Sequence, residues 1–237
     1  MNRTICQRMA VLFLCCLAAV QLTSCSNREE LSSPSEDQIA DIVTTLPDYA
    51  AEIEPTCTPE PQDEDLVYIR DICPEIMADL HYATTNNFTG TVIYDFTEPQ
   101  LRYGTAKKLK LVQRILEEQG FGLKIWDAYR PVWAQFKLWE ICPDSTFVAN
   151  PNSGYSNHSC GNTVDVTLVR MDGSTVEMPS DFDDFSPLAD RDYSDVSDRA
   201  AGNARLLEKV MLEAGFTGYS AEWWHYTDTI AYPVIGE

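Results

Sequence analysis

Between Leu66 and Thr227 the hydrophobic pattern changes period several times, and that change limits the folds open to the chain. Thr105–Gln119 carries Ala106, Leu109, Val112 and Leu116 at helical spacing, with Ile115 on the same side and Gly120 placed to stop the helix. Leu123–Asp127 reads as a strand, and Pro131 suits the first turn of a helix reaching Ile141. Thr163–Val169 alternates, with Val164, Val166 and Leu168 on one face and Thr163, Asp165 and Thr167 on the other. Ser197 is placed to cap a helix bearing Leu206, Leu207, Val210, Met211 and Ala214, with Gly215 as its stop. Glu222–Thr227 is aromatic-rich and strand-like, and Leu66–Arg70 reads as an edge strand. There is no repeating βαβ order, no internal repeat and no Gly-rich phosphate loop. The expected class is therefore α+β, a central and mainly antiparallel sheet flanked by helices.

The ends of the chain differ in kind. Arg3 and Arg8 precede or open an almost wholly apolar stretch, Met9–Leu22, and the first acid is Glu29. A basic start followed by an apolar run of this length reads as an export signal and is short for a membrane-spanning helix. The run ends Leu22-Thr23-Ser24-Cys25, which resembles a bacterial lipobox. Residues 1–24 are thus expected to be a signal peptide, and Cys25 a lipidated anchor in the cell envelope. Residues 25–62, containing SNREELSSPSEDQ and EIEPTCTPEPQDED, are too rich in Ser, Pro and acid to bury much surface and read as a solvated tether. The remaining 63–237 form the expected catalytic domain.

The net charge of −20 argues against a sequence-independent nucleic-acid partner, because phosphates must be met by Lys and Arg. It also disfavours docking on anionic headgroups, so the only membrane contact expected is the lipid at Cys25. A small substrate in a locally basic cleft stays open. Outside the signal and Cys25, the cysteines are Cys57, Cys73, Cys142 and Cys160, which permit three disulfide pairings that the spacing does not choose among. The absence of any CxxC argues against a cysteine zinc cluster. Oligomeric state is not legible in the pattern.

Two of the three histidines stand in unusual settings. His158 lies in a turn-forming stretch, Ser156-Asn157-His158-Ser159-Cys160-Gly161, and Asp165 follows on the polar face of the next strand. His225 closes Glu222-Trp223-Trp224-His225. Two imidazoles and one carboxylate form a ligand set that leaves a position open on Zn²⁺ and keeps the ion a Lewis acid. The set also fits non-haem Fe(II), although six residues separate His158 from Asp165, unlike the usual His-x-Asp. Glu222 is the natural general base. Residues three apart on a regular strand point to opposite faces, so Glu222 and His225 share a site only if the strand starts, bends or bulges there. Arg130, at a strand-to-helix junction in Trp126-Asp127-Ala128-Tyr129-Arg130-Pro131, is suited to hold an oxyanion or a substrate carboxylate.

These motifs together resemble the VanX-type D-alanyl-D-alanine dipeptidases, zinc peptidases of the hedgehog/DD-peptidase fold. The resemblance runs over roughly residues 65–235 and includes Asp79-Leu80-His81-Tyr82-Ala83-Thr84-Thr85-Asn86-Asn87-Phe88-Thr89-Gly90, the Trp126–Pro131 and Ser156–Asp165 segments, Phe182-Asp183, Ala214-Gly215-Phe216 and Glu222-Trp223-Trp224-His225-Tyr226. It implies one zinc held by His158, Asp165 and His225, Glu222 as base and Arg130 at the transition state. It further implies substrate contacts from Ser156 and Asp183, the latter to the free ammonium, with Tyr82 near the pocket. The substrate implied is a small D,D-dipeptide. His81 and Cys160 depart from the family pattern, and neither is expected to be a fourth ligand.

Two other readings remain at this stage. One is a D,D- or L,D-carboxypeptidase trimming peptidoglycan stems, against which the Tyr82–Gly90 segment and Phe182-Asp183 speak. The other is a non-catalytic muropeptide-binding lipoprotein, which has no need of a base beside a metal. An export signal favours turnover of wall-derived dipeptide over a cytoplasmic resistance role.

Overall fold

The computed structural model describes residues 59–236. The signal segment 1–24, Cys25, Cys57 and nearly all of the tether lie outside the described residues. At the tether's end, the Tyr103 hydroxyl donates to Glu60 at 2.7 Å and the Gln62 N–H donates to Asp65 at 2.7 Å.

In chain order the elements are β1 (Leu66–Tyr68), α1 (Ile69–Ile72), β2 (Met77–Ala78), a 3-10 turn His81–Ala83, β3 (Gln100–Arg102), α2 (Tyr103–Glu117), β4 (Phe121–Asp127) and α3 (Val132–Ile141). A 3-10 turn Asn157–Cys160, β5 (Thr163–Arg170), a 3-10 turn Pro187–Ala189, α4 (Asp198–Glu213), β6 (Phe216–Tyr219) and β7 (Glu222–Asp228) complete the order. β2, β4, β5, β7 and β6 form a five-stranded sheet in that order, and β1 pairs with β3 in a separate ribbon. Only β2 against β4 is parallel; the other pairs are antiparallel. The α+β expectation holds. The expected Leu66–Arg70 strand is shorter, because Ile69 is buried and begins a helical turn.

The helices form where the sequence places them. α2 buries Ala106, Leu109, Val112 and Leu116, and α4 buries Ala200, Ala201, Ala204, Leu207, Val210 and Met211. Both helices pack on the sheet and on each other. Each fully buried Leu removes enough apolar surface to stabilise the fold by roughly 1.5–3 kcal/mol. Ser197 caps α4 as expected, its hydroxyl accepting from the Ala200 N–H at 3.1 Å. Gly215 ends that helix at φ 89°, donating its N–H to Leu212, a conformation in which a Cβ would be strained.

β5 is the centre of the sheet. Val164, Val166 and Leu168 lie in the core, with Leu168 opposite Leu123 and Val166 opposite Ile125. Thr163, Asp165 and Thr167, on the other face, are buried as well. A polar face so thoroughly covered must have its groups paired or occupied, and the chemistry of the molecule lies there.

Candidate metal centre and catalytic pocket

One transverse row of the sheet carries Asp127, Asp165 and His225, because Asp127 pairs with Asp165 and Asp165 pairs with His225. One departure from regular register brings Asp127 into the row, and a second sets Glu222 beside it. In β4 the register slips by one residue at Trp126, so Asp127 comes opposite Asp165 and faces the site. In β7, Gly218 is opposite Tyr226 but Tyr219 is opposite Glu222, so Trp223, Trp224 and His225 form a wide bulge with no partner on β6. That bulge answers the objection from strand geometry: Glu222 Oε2 lies 3.5 Å from His225 Nδ1, on one side of the strand.

His158 arrives from the turn before β5. Ser156 caps that turn, its hydroxyl accepting from the His158 N–H at 3.3 Å, and Gly161 closes it at φ 75°. The turn is tied to the next motif, since Arg130 N–H donates to His158 O at 3.2 Å and the Ser159 hydroxyl donates to Arg130 O at 2.9 Å. His158 Nδ1 lies 2.7 Å from the Ala128 carbonyl. A carbonyl only accepts, so Nδ1 carries the proton and Nε2 of the neutral ring presents a lone pair. Nε2 stands 3.4 Å from Asp165 Oδ2, and His225 Nδ1 stands 3.0 Å from Asp165 Oδ1.

The donor atoms of His158, Asp165 and His225 all lie within 4.8 Å of one another. Tetrahedral Zn²⁺ with bonds near 2.0–2.1 Å sets its ligand atoms roughly 3.3 Å apart. Asp165 Oδ1 is buried and has no hydrogen bond of good geometry, its nearest partner being the His225 ring nitrogen at 3.0 Å, an arrangement that one ion between the two would satisfy. Burial works against the Asp165 carboxylate, but His158 and His225 outweigh it and hold the carboxyl well below its ordinary range. Burial likewise opposes charge on His158, and Asp165 with Asp127 raises its pKa nonetheless. The pocket thus favours a positive centre, and two imidazoles with one carboxylate fit Zn²⁺. His81 and Cys160 are not in the donor group; His81 packs its ring against Phe182 and Trp126 at 5.1 and 5.7 Å.

Glu222 is largely buried beside Asp165, and both facts raise its pKa, burial the more. A carboxylate moved toward neutrality is a better proton acceptor. Arg130 is held in a fixed attitude: Nε and Nη2 donate to Asp127 Oδ2 at 3.1 and 2.6 Å, and Nη1 donates to Gln135 Oε1 at 2.9 Å. Its guanidinium also lies over the Tyr82 ring, 5.1 Å from the centroid. Of its five N–H donors, three are used, which leaves the outer edge of the fork for a ligand oxygen.

Tyr82 is buried, and its hydroxyl donates to Asp183 Oδ2 at 2.8 Å. Asp183 has φ 55°, an uncommon conformation for a residue with a side chain and one found most at functional sites. Burial lifts its carboxyl pKa to about 7, despite the Tyr82 hydrogen bond. Asp183 also lines a cavity of about 860 Å³ with Phe182, Trp126, His81 and Lys124, which the three donors do not line.

The structure brings His158, Asp165 and His225 together with Glu222 beside them, sets Arg130 over the Tyr82 ring and Ser156 at the cap of the His158 turn, and places Asp183 against Tyr82 on a cavity that the three donors do not line. The sequence reading missed Asp127, Gln135 and Tyr94. Asp127 is fully buried, and it also accepts from the Tyr94 hydroxyl at 2.6 Å. The available signal was its place three residues before Arg130 in a turn, where a carboxylate reaches a guanidinium.

The family profile Peptidase_M15, described as D-ala-D-ala dipeptidase, matches residues 62–232. The chain belongs to the D-Ala-D-Ala dipeptidase family. It is 34% identical to the D-alanyl-D-alanine dipeptidase of Escherichia coli over 175 residues, 73% of this chain and 90% of that one. Identity is also 34% to the Enterococcus faecium dipeptidase, over 67% of this chain and 89% of that one. The Streptomyces coelicolor dipeptidase matches at 34%, over 69% and 91%. Among solved structures, a vancomycin-resistance D,D-pentapeptidase VanY in complex with Zn(II) aligns with TM-score 0.37 and 16% identity over 58% of this chain and 76% of that one. As a member of the dipeptidase family the protein is a peptidase, and the matched span contains every donor and pocket residue named above.

Proposed function

We propose that the protein hydrolyses D-alanyl-D-alanine to two molecules of D-alanine, with His158, Asp165 and His225 as zinc ligands. The observation that carries the reading is the convergence of these three buried or half-buried donors within 4.8 Å of one another, with Glu222 3.5 Å from the third donor. Zinc held there supplies a Lewis acid for the scissile carbonyl and lowers the pKa of water near it.

The chain's own residues do the rest. Asp183, buried and short of a cation, takes the substrate ammonium, and Tyr82 holds the carboxylate in place for it. Ser156, whose hydroxyl caps the turn that carries His158, contacts the substrate beside that ligand. Glu222 accepts a proton from the attacking water as its oxygen bonds to the carbonyl carbon. Arg130 meets the developing oxyanion, a contact worth about 2.7–4 kcal/mol in comparable sites. The C–N bond then breaks, and Glu222 returns the proton to the leaving amine. A longer peptide has no ammonium at this point and leaves the Asp183 carboxylate buried without a counter-ion, which selects for dipeptides.

The N-terminal sequence supports an exported lipoprotein anchored at Cys25, and that address suits turnover of wall-derived dipeptide. The test is metal content together with D-alanine release. Zinc-loaded protein is expected to bind one ion and to cleave D-Ala-D-Ala; release from a stem pentapeptide but not from the dipeptide overturns the specificity, and no turnover with zinc bound overturns the catalytic reading.

A further inference from the structure

The bulge in β7 leaves backbone groups without sheet partners, and one side chain from another segment takes them up. Arg191 Nε donates to the Tyr219 carbonyl at 2.8 Å, and Nη2 donates to the His225 carbonyl at 2.9 Å. Tyr219 is the residue opposite Glu222, and His225 closes the bulge at its other end. One planar fork therefore spans both ends of the irregular stretch. Nη1 donates to the Tyr226 hydroxyl at 3.2 Å and pairs with Glu208 of α4 at 3.2 Å, and the guanidinium lies 4.5 Å from the Tyr226 ring centroid.

The segment that carries Arg191 is itself fixed. Its N–H donates to the Ser220 carbonyl at 3.2 Å, within the β6–β7 turn. Asp190 and Asp192 side chains accept from the N–H groups two residues on, at 2.9 and 2.6 Å. Tyr193 is buried at φ 54°, with Arg205 over its ring. On β6, Gly218 is required by this arrangement: a Cβ there would fall 2.5 Å from the Arg191 guanidinium carbon.

We propose that Arg191 is a positioning residue, a brace that holds the β7 bulge in the one shape that turns Glu222 and His225 toward the same point. It acts through those two residues and touches neither the donor atoms nor the substrate pocket. A lysine does not replace it, because an ammonium is a point charge and does not bridge two carbonyls in fixed directions. The proposal rests on the reading of His225 as a ligand and Glu222 as the base.

The experiment compares wild type, Arg191→Met, Arg191→Lys, Gly218→Ala and the double variant Gly218→Ala/Arg191→Met. Zinc affinity is read by chelator competition, and kcat and KM are read with D-Ala-D-Ala. Arg191→Met is expected to lose roughly 10–100-fold in zinc affinity and in kcat, the range for groups that orient ligands, with KM nearly unchanged. Methylguanidinium added to this variant should restore part of both, and Arg191→Lys should restore little. Gly218→Ala should mimic Arg191→Met by evicting the guanidinium, and the double variant should be no worse than either. Zinc affinity and kcat within about two-fold of wild type for Arg191→Met, or losses that multiply in the double variant, overturn the proposal. If Arg191→Met does not fold, Gly218→Ala and Arg191→Lys decide by the same two readouts. Absence of dipeptide turnover in the wild type refutes the reading of the reaction instead, and zinc affinity still judges Arg191.

Discussion

Replacing Asp127 by Asn tests how Arg130 is held. Asp127 has no exposed side-chain surface. Its Oδ2 accepts from Arg130 Nε and Nη2, while Oδ1 accepts from the Tyr94 hydroxyl at 2.6 Å and the Ala128 N–H at 2.9 Å. All four partners donate. Asparagine offers one acceptor oxygen and one NH₂, so it satisfies one side only. With its oxygen toward Arg130, the NH₂ meets the Ala128 N–H; with the amide reversed, the NH₂ meets the guanidinium. In both orientations a buried cation loses its counter-ion. Breaking a buried pair in this way costs about 3–5 kcal/mol. For a domain of this size each kcal/mol moves Tm by about 2–4 °C, so Asp127→Asn should melt roughly 6–20 °C below wild type. The assay is thermal unfolding followed by circular dichroism, with Tyr94→Phe as control. The control removes a donor and leaves Arg130 paired, so it should shift Tm by much less. An Asp127→Asn Tm within about 2 °C of wild type would refute the argument, because no rearrangement of an amide meets four donors.

Glu222→Ala should keep its zinc and lose most turnover, whereas His225→Ala should lose zinc; metal analysis beside a D-alanine assay separates the two, and near-normal turnover in Glu222→Ala would remove the assigned base. Asp183 must be ionised and the substrate amine protonated for the two to pair. With the carboxyl pKa raised to about 7 and an α-amino group titrating at about 8, dipeptide affinity should rise through the first value, peak in the narrow window between the two and fall above it. Calorimetry on the zinc-loaded Glu222→Gln variant isolates the effect from the base, and a pH-independent affinity across that range contradicts it. Ser197→Ala removes the cap of α4 and should destabilise the fold by about 1 kcal/mol, a Tm loss of about 2–4 °C with activity unchanged at 25 °C.

The parts of this molecule that obey a regular period were legible in the sequence. α2, α4, β4 and β5 appear within a few residues of their expected spans, because each buries one face and the apolar residues mark it. The candidate donors were legible for a different reason: histidines are few, and those at 158 and 225 sit in a turn-prone stretch leading to Asp165 and in an aromatic one opened by Glu222. Asp127, Gln135 and Arg191 were not legible. Gln135 accepts from Arg130 and donates to the Ala149 carbonyl at 2.7 Å, yet on a helix it looks like any polar residue. Arg191 lies 28 residues before the carbonyl of Tyr219 that it meets, in a loop whose composition says only that it turns. Long-range polar pairing leaves no periodic trace, so side chains that support a site are harder to find than those that form it.

The two bulges show why the site lies where it does. β5 runs regularly through Asp165; β4 slips against it at Trp126, and β7, regular against β5 at His225, breaks register against β6 across Trp223–His225. With regular pairing, Trp126 would stand opposite Asp165, and Asp127 would turn to the other face. A regular β7 would likewise send Glu222 and His225 to opposite faces. The β4 slip thus puts Asp127 rather than Trp126 beside the regular Asp165–His225 pair, and the β7 bulge puts Glu222 beside His225. The displaced indoles are not lost to packing: Trp126 and Trp223 meet edge to face at 5.6 Å, and Trp223 Nε1 donates to Ser180 at 3.0 Å, close to the Phe182-Asp183 wall. The irregular backbone of β7 is met by the Arg191 guanidinium, whereas the Arg130 guanidinium holds the side chain of Asp127 that the β4 slip turns toward the site. The two irregularities therefore act on different members of the site: regular pairing of β4 would replace Asp127 by Trp126 in the row, and regular pairing of β7 with β6 would turn Glu222 away from His225.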